Sequence, residues 1–127
     1  MSETLRNHDK TIMQTLGAKE FKEIDCDTFY GEGMSKTGAR CFVSVLKREE
    51  VMARLAAAVK PFAGSGPWAE DYGQYHRSFR LSAAPDYAFG FGVSRVAYSR
   101  ETFGAYPEIW GRYESNIVYS PIVREER

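Results

Sequence analysis

The sequence predicts an α+β fold: a curved antiparallel sheet of about five strands with two helices packed on one face. Three observations carry that expectation. Residues 4–16 and 47–59 space their apolar side chains at the helical period. From Gln74 onward the chain instead alternates residue by residue, as a strand with one buried face does. The order helix, hairpin, helix and then a run of strands places helices on one face of an antiparallel sheet. The 127 residues read as a single domain spanning 1–127, since a chain of this size buries about two thirds of its unfolded surface and holds a core unaided.

The first helix, Thr4 to Leu16, carries Leu5, Ile12, Met13 and Leu16 on one stripe, with Gly17 as its stop. Lys22 to Tyr30 alternates, with Ile24, Cys26, Thr28 and Tyr30 opposing Asp25, Asp27 and Phe29. That pattern predicts a strand, and its acidic face predicts an edge position. The glycine-rich run from Gly31 to Gly38 is a loop, and Arg40 to Leu46 the next strand. Lys47 to Val59 is the clearest helix, with Val51, Leu55, Val59 and then Phe62 as its buried stripe and Pro61 as its stop.

Gly64 to Pro67 breaks the chain but is too short for a domain linker. Gln74 to Ser82 puts Tyr75, Arg77, Phe79 and Leu81 on one face and His76, Ser78, Arg80 and Ser82 on the other. Ala84 to Asp86 reads as a turn. Tyr87 to Tyr98 returns with Tyr87, Phe89, Phe91 and Val93 opposed by Ala88, Gly90, Gly92 and Ser94. A shift of apolar phase to Val96 and Tyr98 predicts a bulge near Ser94 and Arg95. Glu101 to Pro107 is a loop, and Pro107 favours a helical turn over 108–113. Ile117 to Val123 is a last strand, which Pro121 assigns to an edge, and 124–127 a frayed tail.

Composition narrows the function classes. Formal net charge is zero, which gives no bulk attraction for a polyanion and leaves room for self-association as a homodimer. No apolar stretch is long enough to cross a membrane and the first ten residues lack a signal-peptide core, so the expected compartment is cytoplasmic. There Cys26 and Cys41 are expected to be half-buried thiols, although a bridge is geometrically open if strand register sets them opposite.

Residues 68–119 hold thirteen of the eighteen aromatics and no lysine; their cations are Arg77, Arg80, Arg95, Arg100 and Arg112. Arginine, tyrosine and tryptophan dominate binding hot spots, where lysine is depleted. This points to a small non-enzymatic interaction protein of adaptor or inhibitor type, in the style of those carried by phages and mobile elements. It would bind a macromolecule, a protein foremost, through an Arg/Tyr/Trp-rich C-terminal surface. Tyr72, Tyr75, Arg80, Arg95, Tyr98, Trp110 and Arg112 are the candidate binding residues.

The alternative is a small-molecule-binding protein or enzyme whose curved sheet encloses an aromatic-lined pocket, with His76 or a tyrosine as acid–base group. Gly90 and Gly92 leave one strand face nearly bare. Either a helix packs there or a groove opens, floored by glycine and rimmed by Arg80, Arg95 and Tyr98. Single-stranded nucleic acid ranks third, because residues 67–127 carry seven arginines against eight acidic groups.

No cofactor, metal site or assembled catalytic set is expected. Ser35-Lys36-Thr37 lacks the Gly-Lys-Ser/Thr order and the following helix of a phosphate loop. Asp25 and Asp27 could meet a hard cation but read as a solvated edge.

Overall fold

The computed structural model describes residues 3–60, 63–64, 68–71, 73–81 and 84–124. Helix α1 (Glu3–Leu16) leads into β1 (Phe21–Ile24), a short helix α2 (Cys26–Tyr30) and β2 (Arg40–Ser44). Helix α3 (Arg48–Val59) follows, then two edge segments, β3 (Ala63–Gly64) and β4 (Ala69–Asp71). The long strands β5 (Gln74–Leu81), β6 (Ala84–Arg95) and β7 (Ser115–Arg124) complete the sheet, with α4 (Arg100–Phe103) between the last two. All described pairings are antiparallel, in the order β1-β2-β7-β6-β5-β3, and β4 lies against β5 beside β3. The sheet is open and curled.

The predicted α+β architecture therefore stands, with seven strands rather than about five, the additions being the short β3 and β4. Helices α1 and α3 pack together on one face. Ile12 and Leu16 of α1 and Val51, Leu55 and Val59 of α3 close over Phe42, Phe89, Phe91, Val93, Ile117 and Tyr119. Phe91 stacks on Tyr119 at 5.3 Å and meets Phe89 edge-on at 5.9 Å, geometries that aromatic quadrupoles favour. Tyr119 is fully buried, and its hydroxyl is satisfied by donating to Asp9 Oδ1 at 2.9 Å.

A second, smaller core lies on the opposite face. Val43, Val96, Phe103 and Ile109 form it, with Phe29, Tyr30, Tyr106 and Trp110 packed around them. Strand β2 supplies Val43 and the turn after β6 supplies Val96; helix α2, helix α4 and residues 106–112 supply the rest. They cover the β1–β2 end of that face.

Several local expectations are corrected. The strand predicted over 22–30 stops at Ile24. Asp25 takes an extended conformation and caps α2, accepting from the Asp27 N–H and, at 2.6 Å, from the Thr28 hydroxyl. Asp27 in turn accepts from the Ser35 N–H at 2.7 Å and from its hydroxyl at 2.9 Å, tying α2 to the loop. Asp25 thus caps the helix and Asp27 ties it to the loop, rather than the two forming an edge-strand face.

That turn at Asp25 also lays Cys26 over Cys41. A disulfide joins them, with the Cα atoms 5.3 Å apart, in place of the expected thiols. The register pairs Cys41 with Ile24, so the bridge comes from the helix and not from opposed strand residues.

Residues 84–86, predicted as a turn, already belong to β6. The expected bulge at Ser94 is absent from the described pairing; β6 ends at Arg95 in a 3-10 turn, Val96–Tyr98. The register shift falls instead opposite Phe89, where Gly90 faces Ser120 but Ala88 faces Val123. Part of the loop predicted over 101–107 is helical, as α4. Strand β7 is central, not an edge: β2 pairs with it over 115–119 and β6 along its length. Pro121 fits because it falls past the end of β2 and inside that register shift, where a ladder donor is dispensable. Among the described residues no helix is long and apolar enough to cross a membrane.

Candidate functional site

The face of the sheet away from α1 and α3 is where the small residues point. Antiparallel register sets Ala88, Gly90, Gly92 and Ser94 of β6 beside His76 and Ser78 of β5, and beside Asn116, Val118 and Ser120 of β7. The second core covers only the far end of this face. Over the remainder an open cleft of about 730 Å3 is bounded by the glycine-floored strands, by Tyr30 and Met34 on one side and by Tyr98 and Ser99 on another.

The floor is shaped by close approach. A Cβ built on Gly92 would sit 2.9 Å from Gln74 Nε2 and 3.5 Å from His76 Nδ1, so any larger residue would push these side chains off the strand. A Cβ on Gly90 would lie 3.2 Å from the Arg77 carbonyl oxygen.

At the base of the cleft Asn116 is only 3% exposed. Its Nδ2 donates to the Tyr30 hydroxyl at 2.9 Å, while its Oδ1 is buried without a hydrogen-bond partner among the described residues. An orphaned buried carbonyl costs about 1–3 kcal/mol, so one that persists calls for an explanation. Burial also pushes the Tyr30 phenol up to about 12, against a smaller opposing effect of the Asn116 hydrogen bond. The hydroxyl therefore keeps its proton at neutral pH.

Charge is scarce here. Asp71 and His76 contribute ionisable side chains to the lining. Arg77 lines the cleft by position on β5, but its guanidinium belongs to the helix-covered face, 5.7 Å over the Trp68 ring. Among the described residues no side chain hydrogen-bonds to the His76 ring, which is exposed. An acid–base imidazole is ordinarily oriented by such a partner.

The candidate residues predicted from sequence divide. Tyr72 lies outside the described residues. Arg95, Tyr98 and Trp110 come together in a second groove of about 460 Å3, which Lys47, Arg48 and Glu114 also line. Arg95 donates to Glu49 at 3.2 Å and to the Tyr98 hydroxyl at 3.3 Å. Tyr75 joins this group through Arg48, whose guanidinium lies 4.6 Å from the Tyr75 ring and 5.9 Å from the Tyr98 ring. Arg48 also donates to the Gly73 carbonyl at 2.8 Å.

Arg80 is exposed opposite Ala88, and Arg112 is exposed on the 107–112 turn; neither lines either groove. Of the expected rim of Arg80, Arg95 and Tyr98, only Tyr98 reaches the glycine cleft, as the wall shared by both grooves. Tyr98 is 58% exposed; it and Val45 are the exposed large apolar side chains among the described residues.

Sequence reasoning missed Tyr30 and Asn116. The alternation over 22–30 predicts an edge strand for Tyr30, and the predicted last strand begins at Ile117, one residue past Asn116. A usable signal was present: Asn116, Val118 and Ser120 alternate with Ile117 and Tyr119, the same small-against-large pattern as β6. Comparison with known proteins finds no family model, no curated protein and no solved structure that matches this chain.

Proposed function

We propose that the protein binds a small organic molecule in the glycine-floored cleft. The observation that carries this reading is the cleft itself: its volume of about 730 Å3 falls in the range of roughly 300–1,000 Å3 typical of ligand pockets. Apolar walls from Tyr30, Met34 and Tyr98 around a few convergent polar groups suit such an occupant. The test is a screen of neutral fragments followed through the backbone amide signals of Gly90 and Gly92. Saturable shifts at both are expected, and Ser78→Trp, which fills the cleft from an exposed position, should abolish them while the fold persists. A screen in which no fragment moves either glycine removes this reading.

A second reading keeps the interaction-protein expectation and rests on a different observation, the exposed Tyr98 flanked by Arg95 and Arg48. Tyrosine beside arginine is hot-spot composition. A protein partner seated there would lose affinity in Arg95→Ala and Tyr98→Ala variants but not in Ser78→Trp. An unchanged affinity in both alanine variants would count against it.

The buried Cys26–Cys41 disulfide supports an oxidising working compartment rather than the cytoplasm. Quantifying free thiols in protein isolated without added reductant or oxidant tests this, and two free thiols per chain would be the contrary result.

A further inference from the structure

The geometry points to a ligand that presents an amide edge, an N–H beside a C=O, to the paired Asn116 and Tyr30 side chains. This deepens the small-molecule reading of the cleft and rests on it. The argument is an account of donors and acceptors. The Asn116 side chain has one carbonyl acceptor and an NH2 group with two N–H donors, one of which goes to the Tyr30 oxygen. Because Tyr30 accepts that bond, its own O–H must point elsewhere, and both side chains line the cleft. Two neighbouring functions of residues at the cleft base are therefore without a partner among the described residues, the buried acceptor Asn116 Oδ1 and the Tyr30 hydroxyl proton. A carboxamide or lactam answers both at once: its N–H fills Oδ1 and its carbonyl takes the phenolic proton.

The surroundings favour a neutral, flat group over a charged one. Among the described residues that line the cleft no guanidinium or ammonium turns into it: the Arg77 guanidinium sits on the other side of the sheet, and Arg80, on this face opposite Ala88, lies outside the lining. Bare backbone at Gly90 and Gly92 allows a planar ring to lie close to the strand. Tyr30 is itself well held, its ring 6.0 Å from Phe103 in an edge-on contact. The donor is thus pre-positioned and costs little ordering on binding.

Three probes of nearly one shape test the assignment on the full chain: nicotinamide, N,N-dimethylnicotinamide, whose amide hydrogens are blocked, and nicotinate, an anion. Titrations are read from the Gly90 and Gly92 backbone amides and the Asn116 side-chain amide. The expected order is nicotinamide first, with the blocked amide and the anion each several-fold weaker. Tyr30→Phe keeps the ring but removes the donor, and should weaken nicotinamide several-fold with spectral dispersion retained. Equal binding of all three probes, or wild-type nicotinamide affinity in Tyr30→Phe, overturns the amide assignment while leaving the cleft as a ligand site. So does a screen in which other fragments shift the two glycines and nicotinamide does not. If no fragment of any kind shifts them, the cleft reading fails and the assignment falls with it.

Discussion

The two faces of this sheet are made by the same strands and do opposite things. Along β6, Phe89, Phe91 and Val93 turn toward α1 and α3 and are nearly or fully buried, while Ala88, Gly90, Gly92 and Ser94 turn the other way and floor an open cleft. The large residues pack one face against the two helices. The small ones leave the other unfilled where α2 and α4 stop short. The strand's period of two thus separates a stability task from a recognition task at single-residue spacing. The contrast predicts that substitutions on alternate residues will report on different properties.

The largest effect is expected on the closed face. Phe91→Ala removes a ring stacked on Tyr119 in the middle of the core, and should cost about 3–5 kcal/mol in chemical denaturation. A loss below about 1 kcal/mol would mean that the two faces are not as different as their burial implies.

Next comes the staple on the cleft side. The Cys26–Cys41 bridge spans a sequence separation of 15 residues, and closing a loop of that size stabilises by about 3 kcal/mol in the chain-entropy view. Its loss in Cys26→Ser/Cys41→Ser should lower the melting temperature. Because the closed segment contains Tyr30 and Met34, hydrogen exchange should rise there first and leave α3 protected. Uniform loss of protection would show instead that the bridge holds the whole fold.

How much of this contrast the sequence discloses depends on distance along the chain. The closed face was legible, because periodicity is local: Val51, Leu55 and Val59 on α3, and Phe89 with Phe91 on β6, all land in the core as their spacing predicts. The bare face was legible too, through Gly90 and Gly92. The cleft walls were not. Tyr30 and Asn116 meet across 86 positions, and no local pattern announces such a contact. Helix α2 was hidden because Asp25 to Tyr30 alternates like a strand, while the capping bonds of Asp25 and the tie of Asp27 to Ser35 favour a helix. Pro121 misled for a related reason: its tolerance depends on where β2 ends, which is a property of the neighbour.

A third prediction uses alkaline titration to separate the faces. The Tyr30 phenol is raised by burial from its ordinary 10.0 to about 12, and Tyr119 is raised as well by burial and by the nearby Asp9. A group whose folded pKa lies above its unfolded one contributes stability that is intact below the unfolded value and lost as pH rises. The unfolded chain releases the proton first, so stability should fall from pH 10 toward 12. For Tyr30 the loss is on the order of 2 kcal/mol across that window. Tyr30→Phe should remove this part of the slope and leave the part due to Tyr119. An unchanged slope would place the Tyr30 hydroxyl in water rather than beside Asn116.

The smallest effect is expected at Tyr98, which divides the glycine cleft from the second groove. Its ring is held by the Arg95 guanidinium 5.5 Å from its centroid and by Arg48 at 5.9 Å, and its hydroxyl accepts from Arg95. Gly73, at φ 82°, lies against the same ring, where a Cβ would come within 3.0 Å. These contacts orient a side chain that stays largely in solvent, so they should contribute little to stability. A cation–π pair at an exposed site contributes roughly 0.5–1 kcal/mol. A double-mutant cycle on Arg95→Ala and Tyr98→Ala should therefore give a coupling of about that size. The functional consequence should be larger than the energetic one, since removing the ring merges the two grooves and takes one wall from each. Fragment affinity in the cleft should fall in Tyr98→Ala but hold in Tyr98→Phe, which keeps the wall and loses only the hydroxyl. Equal losses in both variants would assign the effect to the Arg95 hydrogen bond, and so to the second groove rather than to the shape of the cleft.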